Sequence, residues 1–481
     1  MLKSFFRDSI LYTLSTILTR GIVFILLPIY ARALSPEEFG LLDYLAALGA
    51  IVAIVVTLEI MQGLARHIPE HLEDPRRKRN YASTCLWFVF GVYTTMLVLV
   101  CAFSTQLAAL LLDAPGKADL LQLAAWSYWV AGILNVVHGQ LRWELKAATS
   151  ALLSLLAALL TVACTLVLVV WWQWGIRGAL LAQVAGGLLA LLPSLYLTRT
   201  NFGLSFDEPS LRRMLAYSVP LIPSSLAVVC ALYFDRIALK ELVGLSEVGV
   251  YAVGQKISLV VALALVGFRS ALTPLVYANH ARASTPGQLA QIFRVFCFAA
   301  LAMALGLSVF AREIVGLISD EAYQEAAAVV PLLIFSVLLS NMYIFAPGLD
   351  IGRKTALISL INIGVAALNL GLNYLLIPQL GILGAAWSAL LAFGAGFAVY
   401  MNASQRLYPV PHDWVGVAKL LAVVLAGMGA IRAVALIWSD SLWIRGLLVL
   451  LILGLMVRVG GIPLAGIQAK LAGLFRKRMH P

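Results

Sequence analysis

Four cations stand where an apolar chain should hold none: Arg20, Arg66, Lys256 and Arg269 each fall inside or at the edge of a long hydrophobic run. An ionised side chain at mid-bilayer depth costs about 2.5–3.5 kcal/mol on insertion scales, so each must face a cavity, a partner or the surface. Guanidinium forks and an ammonium suit a phosphate or diphosphate, which makes these four the candidate substrate-binding residues. Against them stand Asp43, Glu59 and Asp235. Asp235 with Asn369 or Asn373 offers the oxygen ligands that a hard cation needs. Asp235, Asn369, Asn373 and Glu59 are therefore the candidates for holding a coupling ion. The five cysteines are odd in number, widely spaced and set in apolar runs, and they read as small buried hydrophobes. No metal-ligand spacing and no DxD, HExxH or GxSxG motif occurs, so neither a cofactor nor a catalytic site is expected.

The helical phase shows which of these groups share a face. Ser9, Tyr12, Thr13, Thr16 and Arg20 lie within roughly a 100° arc, a polar stripe ending in a deep arginine. Glu59, Gln62 and Arg66 form a second stripe, and Tyr217, Ser224 and Asp235 a third, interrupted by Pro220 and Pro223. Tyr251, Gln255, Ser258 and Arg269 form a fourth, with Lys256 pointing about 100° away from Gln255. A water-filled cleft with a modest cationic excess accounts for all four. Plainer readings stand beside it: Arg66 and Arg269 can snorkel to the surface, Asp235 and Arg236 can pair at the interface, and Lys256 can pair with Asp43 or Glu59 for packing. The asparagines can be interhelical glue.

The elements that carry these residues follow from composition. The chain has 481 residues, 62% of them hydrophobic and only 12% charged, with a mean hydropathy of +0.94. A soluble domain carries roughly 25% charge. Soluble enzymes, nucleic-acid-binding proteins and secreted disulfide scaffolds are excluded. Apolar runs predict about fourteen spanning helices, near 8–32, 40–65, 81–104, 120–141, 148–171, 176–198, 213–236, 248–274, 289–311, 325–346, 354–376, 382–403, 414–438 and 442–459. A basic amphipathic tail follows, Pro463 to Arg478. One set of loops and tails holds 23 Lys and Arg, the opposite set seven, which predicts cytoplasmic termini. Most of the net charge of +11 is thus topology. Trp171, Trp172 and Trp174 read as interfacial anchors.

A repeat runs through the chain. Lys146, Ser154, Thr161 and Thr165 correspond at an offset of 208 to Lys354, Asn362, Asn369 and Asn373. Gly175-Ile176-Arg177-Gly178-Ala179 matches Gly381-Ile382-Leu383-Gly384-Ala385, and Leu34-Ser35-Pro36-Glu37-Glu38-Phe39-Gly40 resembles Leu245-Ser246-Glu247-Val248-Gly249. Six spans separate each pair, so the repeat is parallel. The expected fold is an all-α polytopic membrane protein of two pseudo-symmetric six-helix bundles, residues 1–205 and 206–410. Residues 411–481 add two further helices and the tail. Two such bundles suit alternating access to a central cleft.

The repeated segments, together with Gly249-Val250-Tyr251-Ala252-Val253-Gly254-Gln255-Lys256-Ile257, Asp320-Glu321-Ala322-Tyr323 and Leu368-Asn369-Leu370-Gly371-Leu372-Asn373-Tyr374-Leu375-Leu376-Ile377-Pro378, resemble the polysaccharide transporter family. These are Wzx-type oligosaccharide flippases of the MOP superfamily, which also contains lipid II flippases and MATE exporters. The resemblance implies a secondary-active flippase that moves an undecaprenyl-diphosphate-linked oligosaccharide across the bacterial inner membrane for O-antigen or exopolysaccharide synthesis. It implies cavity cations, which Arg20, Arg66, Lys256 and Arg269 match by location. It implies a polymerase and a chain-length regulator as partners beside the lipid-linked substrate and membrane lipids. Related lipid II flippases bind sodium between helices 7, 11 and 12, which points to Asp235 and Asn373. The chain lacks a second acid on span 11, so Na+ and H+ both stand as coupling ions. A MATE-like exporter of cations would need an acidic cavity, and a glycan polymerase or ligase a sizeable outer loop.

Overall fold

The computed structural model describes residues 21, 24–71, 73–144, 146–263, 265, 272, 276, 279, 282, 284–437 and 441–460. Arg20, Arg269 and the tail after Gly460 lie outside the described residues. The first bundle holds α1 (Phe24–Ala33), α2 (Pro36–Thr57), α3 (Ile60–His67), α4 (Pro75–Ala102), α5 (Ser104–Leu112), α6 (Ala118–Trp143), α7 (Ala147–Thr165) and α8 (Gly175–Thr198). The second holds α9 (Glu208–Ser218), α10 (Ile222–Leu242), α11 (Leu245–Ser258), α12 (Thr285–Val309), α13 (Ala311–Ile318), α14 (Ala326–Asn341), α15 (Gly348–Ile351), α16 (Thr355–Leu380) and α17 (Ile382–Leu407). Two more, α18 (Trp414–Ile437) and α19 (Leu442–Gly460), pack on α12 through Leu301, Leu305, Leu420, Val424 and Met456. Among the described residues thirteen helices are long and apolar enough to cross a membrane.

Local sequence sets the helix starts. Ser35 and Glu38 form a capping box ahead of Pro36, satisfying two amides that the first turn leaves open. Asp74 caps α4 ahead of Pro75, and Asp207 caps α9. Two expected spans are broken. The one predicted as continuous over 40–65 stops at Leu58 and Glu59, whose φ values of 52° and 55° are left-handed, a conformation that costs a side-chain-bearing residue energy. The seventh turns at Val219–Leu221, beside Pro220 and Pro223. The Ser218 hydroxyl donates to the Leu58 carbonyl at 2.8 Å, so the two breaks are tied together. Gly63 lies against the Met214 backbone, seating α9 on the first bundle through α3.

The repeat recurs as backbone geometry. Lys146 and Lys354 precede α7 and α16 with φ/ψ of −90°/49° and −84°/52°. Gly175 and Gly381 have φ of +55° and +56°. The third repeated pair meets itself: a Cβ on Gly40 would lie 1.8 Å from the Leu245 carbonyl oxygen, and one on Gly249 would lie 2.0 Å from the Pro36 carbonyl oxygen. Helices α2 and α11 thus cross backbone to backbone, each glycine against the residue four before the other, as small residues allow inside membranes.

Candidate functional site

That crossing lies on the face whose loops carry few cations, the charge-poor face, and the charged side chains of the spans gather directly beneath it. Asp43 on α2 receives Lys256 of α11 on one oxygen and Arg236 Nε of α10 on the other, the latter at 3.3 Å. Arg236 also pairs with Asp235 and donates to the Leu232 carbonyl at 2.7 Å. The Tyr251 hydroxyl donates to the second oxygen of Asp235 at 2.6 Å. Lys256 stands 4.9 Å above the Phe39 ring, and Arg236 faces Tyr233 and Tyr251. Arg236 is 1% exposed. Two acids and two cations form a neutral set, the only arrangement in which burying four charges is tolerable. Because α2 belongs to one bundle and α10 and α11 to the other, the set bridges the bundles.

Further ties close the same face. Lys240 of α10 pairs with Asp113 after α5, the Tyr323 hydroxyl donates to the Leu34 carbonyl at 2.9 Å, and Arg32 donates to the Leu317 carbonyl. Between the bundles Phe39 meets Tyr30 at a tilt and Tyr323 edge-on. Burial holds the Tyr323 phenol above its ordinary range, so it stays a hydrogen-bond donor.

The structure distributes the expected site residues unevenly. Lys256 and Asp235 join the bridging set. Arg66 lies on α3 with its side chain 56% exposed, pairing with Glu70 at 3.0 Å on the charge-rich face. Glu59 sits at the helix break with no ion-pair partner among the described residues. Asn373 donates to Asn369 at 3.0 Å, both buried on α16, and the Asn373 side-chain oxygen has no partner among the described residues. Arg236, the buried centre of the set, was readable only as an interface pair with Asp235. Its signal was the acid–base doublet inside an apolar run. A sodium ion at Asp235 would find both carboxylate oxygens engaged and would add a charge to a neutral group; the described residues do not fit it there.

A second feature lies within the first bundle. A cavity of about 560 Å³ opens at mid-depth between α2, α4, α6, α7 and α8. Gly49, Gly132 and Gly187 let Tyr128, Tyr93 and Val130 pack close around it, and among the described residues no charged side chain lines it.

Two bundles of membrane-crossing helices that meet at one face are an arrangement also found in solved membrane proteins. The fold is shared with the lipid II flippase MurJ in an inward closed conformation, with a TM-score of 0.73 at 13% identity over 94% of this chain and 98% of that one. It is also shared with an inward-facing multidrug MATE transporter, at 0.64 and 17% over 82% and 95%. A model of the family described as polysaccharide biosynthesis protein matches residues 5–280, and the chain belongs to that family. One relative is a protein of the Lsg locus of Haemophilus influenzae, 23% identical over 278 residues; the match spans 56% of this chain and 66% of the relative, just under two thirds of its length. Another, from Haloferax volcanii, is named "probable low-salt glycan biosynthesis flippase Agl15" and is 20% identical over 88% of both chains.

Proposed function

We propose that the protein is a flippase that moves a lipid-linked glycan across the bacterial inner membrane by alternating access. Both termini are cytoplasmic, and the charge-poor face is outward. The observation that carries this reading is the bridging set: in a polysaccharide-biosynthesis chain of MOP fold, the bundles are fastened on one face by ion pairs that must part for that face to open. The substrate is an oligosaccharide on undecaprenyl diphosphate, destined for O-antigen or exopolysaccharide and then for a polymerase and chain-length regulator. Its diphosphate supplies the anion that Lys256 needs when it leaves Asp43, with Arg20, Arg66 and Arg269 as further cations along the path. Like charges compete for the same ammonium, so substrate binding and closure of this face oppose one another. Coupling is by protons rather than sodium, since protonation can change a neutral set whose cation positions side chains already fill. The chain acts as a transporter and not as an enzyme.

The uncharged lining of the first-bundle cavity argues against export of cationic drugs, which would need a carboxylate there. The test is a reconstituted vesicle holding a fluorescently labelled lipid-linked oligosaccharide. Translocation under a proton gradient, lost in Lys256→Met, is the expected result. Absence of glycan translocation alongside proton-driven efflux of a cationic dye would replace this reading with the exporter.

A further inference from the structure

Asn135 on α6 and Gln183 on α8 both line the mid-depth cavity of the first bundle. Neither amide has a hydrogen-bond partner among the described residues. The other polar groups there are committed differently: the Tyr128 hydroxyl donates to the Leu45 carbonyl, the Ser127 hydroxyl to Ala124, and the Thr161 hydroxyl to Ala157. Asn135 is exposed and Gln183 half-buried, so both amides offer free donors and acceptors to whatever fills the cavity. An isoprenoid tail would cover them and leave them unsatisfied. A diphosphate or an ammonium group would find no counter-charge. The remaining class is uncharged and rich in hydroxyls, which an amide can meet as both donor and acceptor. The half-buried Tyr128 ring adds an apolar wall of the kind that the carbon face of a pyranose covers. The volume falls within the range of about 300–1,000 Å³ typical of small-ligand sites.

We propose that this cavity is a glycosyl subsite, holding an uncharged sugar unit of the transported glycan between Asn135 and Gln183 while the diphosphate stays at the cations between the bundles. The inference rests on the flippase reading and adds where its specificity resides. Helical phase supports the placement: Asn135 shares a face of α6 with Ser127 and Ala131, and Gln183 shares a face of α8 with Gly187.

The test uses the full chain in nanodiscs and two probes, the lipid-linked oligosaccharide fraction extracted from the encoding strain and sugar-free undecaprenyl diphosphate. Binding is read by native mass spectrometry. The wild type should prefer the glycosylated lipid. Asn135→Leu and Gln183→Leu, near-isosteric and compatible with an apolar helix, should each weaken it about five- to tenfold and leave the sugar-free lipid unchanged. Ala158→Leu, which narrows the cavity from α7 without touching either amide, should act in the same direction. Undiminished preference in both amide variants, or an equal loss for both lipids, overturns the subsite. A wild type that binds neither lipid overturns the flippase reading instead.

Discussion

Adding one methyl group at Gly40 should loosen the closed face. A carbon–oxygen contact needs about 3.3 Å, and the Cβ positions on Gly40 and Gly249 stand only 1.8 and 2.0 Å from the opposing carbonyl oxygens. Alanine therefore requires α2 and α11 to separate locally by about 1.5 Å at Gly40 or about 1.3 Å at Gly249. Both obstacles are helix backbone, which cannot rotate away as a side chain can. Overpacking of this size costs about 1–3 kcal/mol, and the cost falls on the closed arrangement alone, which shifts the closed-to-open ratio by roughly 5- to 150-fold. The assay is maleimide labelling of Leu34→Cys in a variant lacking the five native cysteines. Leu34 is 4% exposed between the bundles, so its labelling rate reports opening. Gly40→Ala and Gly249→Ala should raise that rate within the stated range, and by similar factors, because the contact is reciprocal. An unchanged rate in properly inserted protein would refute the reasoning.

Four further outcomes follow from the bridging set and the helix ends. Asp43→Asn should leave Arg236 and Lys256 under-compensated and lower stability by about 3–5 kcal/mol, whereas the Asp43→Asn/Lys256→Met pair should recover part of it in thermal unfolding. Exchanging sodium for potassium at constant ionic strength should leave translocation within about twofold; saturable sodium dependence removed by Asp235→Asn would contradict proton coupling. Ser35→Ala should cost about 1 kcal/mol through the lost capping box, measured by denaturation of the purified chain. His412, in the loop ahead of α18, packs 4.5 Å from the Phe293 ring, and burial lowers its pKa from 6.5 to about 4. The unfolded chain then binds a proton that the folded chain does not. Stability from this group is full above pH 6.5 and falls as pH drops toward 4, and His412→Phe should flatten the thermal-midpoint profile across that window.

Much of this architecture was legible in the residues because a bilayer imposes a simple rule. Spans announce themselves by length and apolarity: the predicted ones match the described helices to within several residues, apart from the second, which breaks at Leu58, and the first and eighth, which run into residues that are not described. The repeat was visible as paired motifs, and its Gly175 and Gly381 share a positive φ that glycine alone adopts easily. The break at Leu58–Glu59 carries neither glycine nor proline, so nothing local announces it; the group that meets the Leu58 carbonyl there, the Ser218 hydroxyl, comes from 160 residues away. Helical phase assigns a face to each charge on its own helix but cannot say which neighbour answers it. Lys256 with Asp43 was one pairing among several, and Arg236 was harder still. Arg66 followed its simplest chemistry, since a long side chain near a helix end reaches water.

The self-meeting of Gly40 and Gly249 has an ancestral meaning. A six-span chain carrying one such segment could form the same contact with a second copy of itself, as a twofold dimer. At the glycine offset of 209, the counterpart of Asp43 is Ala252 and that of Lys256 is Ala47, both fully buried. In a dimer of identical halves every acid and every base would appear twice, once on each side of the axis. Joining the halves in one chain lets the acid stand on one and the ammonium on the other, so a symmetric hinge carries an electrically asymmetric fastening.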